Sequence, residues 1–167
     1  MIKRAISALL ITVLLFLVSC GDDSTKYSHC EMVLPLDSDF YEIENSDFDV
    51  AYTNGVAAVA VLRLSFAAAF MQGIPETFNT DEFGRFWLRQ CEREGEIKRH
   101  NGIAHCTYLQ SDGKTSYFCL AAFYRTQYAY FVVVYTVGES VKNEWESRFL
   151  NYISTTYFVD YKSDSEK

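Results

Sequence analysis

Two neighbouring runs, residues 117–124 (YFCLAAFY) and 129–137 (AYFVVVYTV), are apolar at nearly every position. Each reads as a strand, because β-branched and aromatic residues crowd both of its faces. A strand apolar on one face belongs to a sheet with one wet side, whereas strands apolar on both belong to a sheet covered on both sides. The cover has to come from helices, so this pair alone demands helices flanking a sheet, an α/β/α sandwich.

Three dipeptides organise the strands around that pair. Asn54-Gly55, Asn101-Gly102 and Asp112-Gly113 each stand between β-rich runs, and such pairs favour the tight type I′ turn of an antiparallel hairpin. They predict hairpins of 48–53 with 56–64, 96–100 with 103–110, and 103–110 with 115–124. Residues 31–36 (EMVLPL) read as an edge strand, since Pro35 has no N–H to give a ladder. The expectation is an α+β fold: a mainly antiparallel sheet of about seven strands flanked by two main helices.

The helices are signed by their caps. Residues 81–94 place Phe83, Phe86, Trp87, Gln90 and Cys91 on one face, with Asn79 or Thr80 before and Gly95 after. Residues 141–156 place Val141, Trp145, Phe149, Tyr152 and Ile153 on one face, with Ser140 as the cap. A shorter helix over 66–72 lies between Ser65 and Gly73. A strand with LPL, a hairpin carrying VAYTNGVAAVAVLR, a helix, a meander with YFCLAAFYRTQYAYFVVVY and a closing amphipathic helix together resemble the Mog1/PsbP-like fold over residues 31–158. The resemblance implies a binding or accessory role and brings no active site with it. A cystatin-like layout of one sheet and one helix is the rival.

At the N-terminus, Lys3 and Arg4 precede an apolar run to Val18, and Leu17-Val18-Ser19-Cys20 closes it. This resembles the lipobox of bacterial lipoproteins, which implies cleavage before Cys20, acylation of its thiol and residence in the cell envelope outside the cytoplasm. The alternatives are an uncleaved membrane helix, for which the run is short against ~20 residues, and an ordinary secretory signal, which leaves the cysteine unexplained. The expected division is a signal peptide over 1–19, a polar spacer over 20–29, a single domain over 30–160 and a polar tail over 161–167. Two acyl chains anchor stably without spanning the bilayer, so the membrane is the first expected partner.

Removal of 1–19 leaves 13 basic against 22 acidic side chains. Such a domain is no nucleic-acid binder, because phosphate affinity comes largely from Lys and Arg. Anionic headgroups repel it too, so lipid and not surface charge holds it at the membrane.

Four cysteines remain beyond Cys20. With Asp112-Gly113 as the two turn residues, Ser111 faces Lys114 and Cys106 falls opposite Cys119. That is a non-hydrogen-bonded pair, where Cα atoms approach to ~4.5 Å and a disulfide can form. Such a bridge stabilises by ~3 kcal/mol on a loop-entropy account. Cys30 with Cys91 follows by elimination. The competing reading is four buried, reduced thiols.

Reactive chemistry is poorly signed. His105 and Cys106 point to opposite faces of one strand, and His100 with His105 supplies two imidazoles, too few for a closed metal site. His29 adjoins the spacer. The acidic stretch 37–49 fails as a calcium loop, with Glu42 where glycine belongs and Phe48 where the closing glutamate belongs, and reads as a solvated loop. There is no G-x-S-x-G, C-x-x-C or phosphate-binding glycine loop. Ser65 and Cys91 fit capping and packing. Phe123, Tyr124, Tyr128, Tyr130, Tyr157 and Tyr161 suit either a pocket or strand ends with wet hydroxyls, and the strand-end reading leads.

No catalytic residue, metal or cofactor is assigned. The leading expectation is a lipid-anchored, non-catalytic accessory module whose partner is another envelope protein. A small-molecule binder and a hydrolase with paired carboxylates follow. The first requires an exposed apolar patch, the second a closed apolar cavity and the third two carboxylates in a cleft.

Overall fold

The computed structural model describes residues 30–44 and 48–160. The signal peptide, the spacer with Cys20 and His29, Asp47, and the tail with Tyr161 lie outside the described residues.

The sheet expected from the doubly apolar runs is present, with seven antiparallel strands in the order β2-β3-β4-β8-β7-β6-β5. These are β2 (Tyr41–Glu42), β3 (Val50–Thr53), β4 (Ala57–Ser65), β5 (Lys98–His100), β6 (Ile103–Ser111), β7 (Ser116–Arg125) and β8 (Ala129–Gly138). Strands β7 and β8 occupy the middle, buried along almost their whole length. A separate two-stranded sheet joins β1 (Cys30–Val33) to β9 (Tyr157–Asp160). The predicted edge strand 31–36 is therefore shorter, ends before Pro35, and pairs with a strand the sequence reading did not foresee.

Helices α1 (Phe66–Met71) and α2 (Thr80–Gln90) cover one face. Phe83, Trp87 and Leu88 pack there on Cys106, Phe123 and Tyr130. Helix α3 (Lys142–Thr155) and the β1–β9 pair cover the other, with Phe149, Tyr152 and Ile153 against Leu120, Val133 and Tyr135. The fold is α+β, layered helix, sheet, helix.

The helix starts mostly follow the caps. Asn79 accepts from the N–H groups of Asp81 and Glu82, while Glu82 accepts from the Asn79 N–H, a reciprocal capping box. Ser65 caps α1. Two ends differ. Helix α2 stops before Cys91, where Glu92 enters the left-handed region (φ 51°), so Gly95 is not its terminator. Residues 139–141 form a 3-10 turn ahead of α3, which begins without a side-chain cap, so Ser140 does not serve as one.

The hairpins carry the main correction. His100 faces Ile103 across Asn101-Gly102, both at positive φ, as a type I′ turn requires. The other two turns are shifted. Ser111 faces Ser116, not Lys114, and Thr53 faces Ala58. In each, glycine is the first central residue, and the Asn or Asp before it closes the loop by donating its N–H to the carbonyl of Ala57 or Thr115. Gly55 and Gly113 have positive φ (88° and 84°) while Val56 and Lys114 do not, the requirement of a type II′ turn.

The side chains explain the shift. Asn54 Oδ1 accepts from the N–H groups of Val56 and Ala57, and Asp112 Oδ1 from those of Lys114 and Thr115. The preceding hydroxyls, of Thr53 and Ser111, accept from Gly55 and Gly113. Local side-chain acceptors thus hold both turns in a register the dipeptide alone does not specify.

Candidate functional site

The shifted turn undoes the cysteine pairing. Cys106 stands opposite Ala121 and Cys119 opposite Tyr108. The two cysteines are diagonal neighbours on one face, a geometry that holds Cβ atoms too far apart for a bridge. Both are free thiols, and Cys119 Sγ instead lies 3.7 Å from the Thr136 hydroxyl. The expected Cys30–Cys91 pair falls on the side chain of Cys30, which lies outside the described residues. Cys91 is a buried thiol on the α2 face, whereas β1 packs through Met32 on the α3 face.

The remaining polar candidates are spent locally. His105 is buried, and burial lowers its pKa, with its ring nitrogen 3.5 Å from the Ile103 carbonyl. The acidic stretch does not converge. Asp37 accepts from the Tyr152 hydroxyl, Asp39 from the Asn54 amide and Asp49 from the Arg63 N–H. Among the described residues no three His, Cys, Asp or Glu side chains come together as metal ligands.

Most of the aromatic candidates are core. Phe123, Tyr124 and Tyr130 are buried. The Tyr124 hydroxyl donates to the Ile153 carbonyl. The Tyr130 hydroxyl sits among the carbonyls of Pro75, Glu76 and Phe78 at 2.9–3.1 Å, pinning the loop between α1 and α2. Tyr128 and Tyr157 are exposed.

What remains lies at the two ends of the sheet. At one end the β3–β4 and β6–β7 turns meet the exit of β8, and Thr53, Val56, Ala57, Tyr117, Thr136 and Gly138 line an open recess. Its volume of about 30 Å³ admits a water or two and no organic ligand. Val56 and Tyr41 are exposed at this end. Tyr41 pairs with Thr53, and Asn54 ties Asp39 to the turn, so both belong to one rim.

The opposite end carries α1. Its Ala69 is buried, but Phe70 and Met71 are 76% and 85% exposed. Residues 66–71 (FAAAFM) are apolar all round, and that is the signal the sequence reading passed over: a helix with no polar side leaves apolar surface outside when only one face is covered.

No protein-family model matches the chain, and no curated protein matches it either. Solved structures do. A protein from Bacteroides thetaiotaomicron superposes with a TM-score of 0.50 at 15% identity, covering 83% of this chain and 47% of its own, so this chain spans about half its length. LpqN, described as involved in cell envelope biogenesis of Mycobacterium tuberculosis, aligns at 0.47 with 9% identity over 78% of this chain and 84% of its own. PsbP from the cyanobacterium Synechocystis aligns at 0.46 with 12% identity over 84% and 98%. At these identities the likeness is one of α+β fold alone.

Proposed function

We propose that the protein is a lipid-anchored envelope protein acting as a non-catalytic accessory or protein-binding module. Both faces of the sheet are packed into core along its central strands, so its ends and edges are the parts open to binding. The observation that carries the reading is the rim at the β3–β4 turn, where Val56 (60% exposed) and Tyr41 (57% exposed) flank a recess too small for a metabolite. Apolar side chains around a shallow depression suit a protein surface, in which aromatic and aliphatic anchors supply most of the affinity. The lipobox at Leu17–Cys20 supports the anchor, and the order of elements agrees with the Mog1/PsbP-like resemblance, whose members are mostly binding or accessory proteins.

The test places a photo-crosslinking amino acid at Val56 in the full chain within its own envelope. A discrete adduct with one envelope protein is expected, absent when the group is moved to exposed Glu96. Equal, diffuse labelling from both positions would sink the reading. The C20A chain should leave the membrane fraction; retention there would rule out the lipid anchor.

A further inference from the structure

The chain enters the domain at the end of the sheet that also carries, on its other face, the most exposed apolar side chains. Going backwards from Phe40, which packs on Trp145 and Tyr152, the N-terminal segment passes Asp37, bonded to Tyr152. It then pairs Val33 with Tyr157, Met32 with Phe158 and Cys30 with Asp160. Phe158 packs on Tyr124 and Phe131, which face each other one pair short of the β7–β8 turn. The segment thus runs toward that turn. Helix α1 abuts the same turn from the opposite face: the Phe66 N–H donates to the Tyr128 carbonyl, and the Arg125 guanidinium lies 5.1 Å over the Phe66 ring.

Around this end sit Phe70, Met71, Tyr128 and Tyr157, all exposed. The lipobox cysteine stands only ten residues before Cys30. Ten residues reach at most ~35 Å fully extended, and a domain of this size has a radius of gyration of ~14 Å. A lipid on Cys20 thus enters the bilayer from a tether rooted at this end of the sheet, while the Val56 rim stands at the far end.

We propose that Phe70 and Met71, with Tyr128 on the β7–β8 turn that α1 abuts, dock onto the phospholipid surface to which the Cys20 lipid tethers the chain. This rests on the anchored reading above and adds an orientation: α1 faces the lipid and the Val56 rim faces the envelope. Phe and Met insert into the interfacial region, tyrosine rings prefer the headgroup level, and the exposed Arg125 stands at the rim of the patch, where it meets lipid phosphate. Glu76, exposed on the α1–α2 loop, and the net negative charge of the chain select a zwitterionic surface over an anionic one. A six-residue apolar helix is too short to span and suffices for contact with the interface, the tether supplying the local concentration.

The experiment reconstitutes the full lipidated chain in vesicles of phosphatidylcholine and phosphatidylethanolamine carrying bromine on the acyl chains. F70W and, separately, M71W provide the probe, read against the parent chain because Trp87 and Trp145 are buried. L109W, exposed on β6 toward the other end, is the control. Blue-shifted, strongly quenched emission from F70W and M71W but not from L109W is the expected result. Water-like, unquenched emission from a chain that floats with the vesicles overturns the docking and leaves the anchor standing. A chain whose mass shows no acyl groups, and which does not float, overturns both. A blue shift of F70W in the soluble C20A chain, accompanied by a dimer mass, assigns the patch to a second copy and also overturns the proposal.

Discussion

The Tyr152 hydroxyl donates to Asp37 Oδ2 across 2.5 Å, joining residues 115 positions apart. Through it the segment between β1 and β2 is strapped onto α3. Phe40 adds edge-on contacts to Trp145 and Tyr152, and Arg148, 3.9 Å from the same carboxylate, lies over the Trp145 ring. A hydrogen bond to an ionised carboxylate contributes about 1.5–3 kcal/mol when buried, and solvent on Asp37 reduces that here. The Y152F chain, which keeps the ring and its packing, is expected to lose about 1 kcal/mol in urea unfolding. Amide exchange over 36–43 should quicken with it. Unchanged exchange there would mean that the strap is held by Phe40 alone.

The thiols beneath α2 make stability sensitive to alkali. Burial pushes the Cys91 and Cys106 thiols up to about 12 and the Cys119 thiol up to about 11. Below pH 9 these thiols are protonated in the folded and unfolded chains alike, and the full stability is present. Above pH 9 the unfolded chain ionises while the folded chain holds its protons until pH 11–12. Each such group then removes up to about 1.4 kcal/mol per pH unit. Tyr108 and Tyr135, raised well above the usual phenol range by the same burial, add to the loss above pH 10. Urea midpoints are expected to stay level from pH 7 to 8.5 and to fall steeply by pH 10. In the native chain at pH 8, Cys106 and Cys119 should resist alkylation and react only in denaturant. A midpoint that holds through pH 10 would contradict the burial described.

Those thiols also mark what a sequence can and cannot carry. The covered sheet and the main helices were legible because residues 117–124 and 129–137 are apolar on both faces and because Asn79 or Thr80 stands as a cap before the apolar face of Phe83, Phe86 and Trp87. The register of the β6–β7 hairpin was less so. Asp112-Gly113 fits a type I′ turn with glycine second or a type II′ turn with glycine first, and the choice moves Cys119 from Cys106 to Tyr108. The deciding signal was present but fine: a hydroxyl before the Asn or Asp, as in Thr53-Asn54-Gly55 and Ser111-Asp112-Gly113, but not in His100-Asn101-Gly102. Asn101 spends its side chain on Ser154, far away in the chain, and takes the left-handed conformation itself. That the 66–71 helix leaves apolar surface outside was legible in its all-apolar sequence, but not that Phe70 and Met71 are the side chains left out, since local pattern does not show which side the neighbours cover. The pairing of β1 with β9 was hidden for a similar reason, being a contact between the two ends of the domain.

The junction of α2 with the sheet turns on one missing methyl group. A Cβ at Gly84 would stand 2.8 Å from Ile97 Cδ1 and 2.9 Å from two ring carbons of Phe123. Ile97 has a flexible tip and can give way. The Phe123 ring cannot, because Phe83 meets it edge-on at 6.0 Å and Trp87 at 5.7 Å, both buried in the same face. Alanine gains about 1 kcal/mol over glycine in a helix interior, while overpacking a fixed core costs about 1–3 kcal/mol. The second effect wins, so G84A is expected to be less stable by about 1 kcal/mol. Gly95 supplies the control: its added Cβ meets Leu88 at 3.4 Å and the Thr107 carbonyl at 3.7 Å, near-ordinary contacts. G95A should stay within about 0.5 kcal/mol of the parent. Urea unfolding of the two variants side by side decides the matter, and a G84A chain more stable than the parent would show that α2 can lift from Phe123 at little cost.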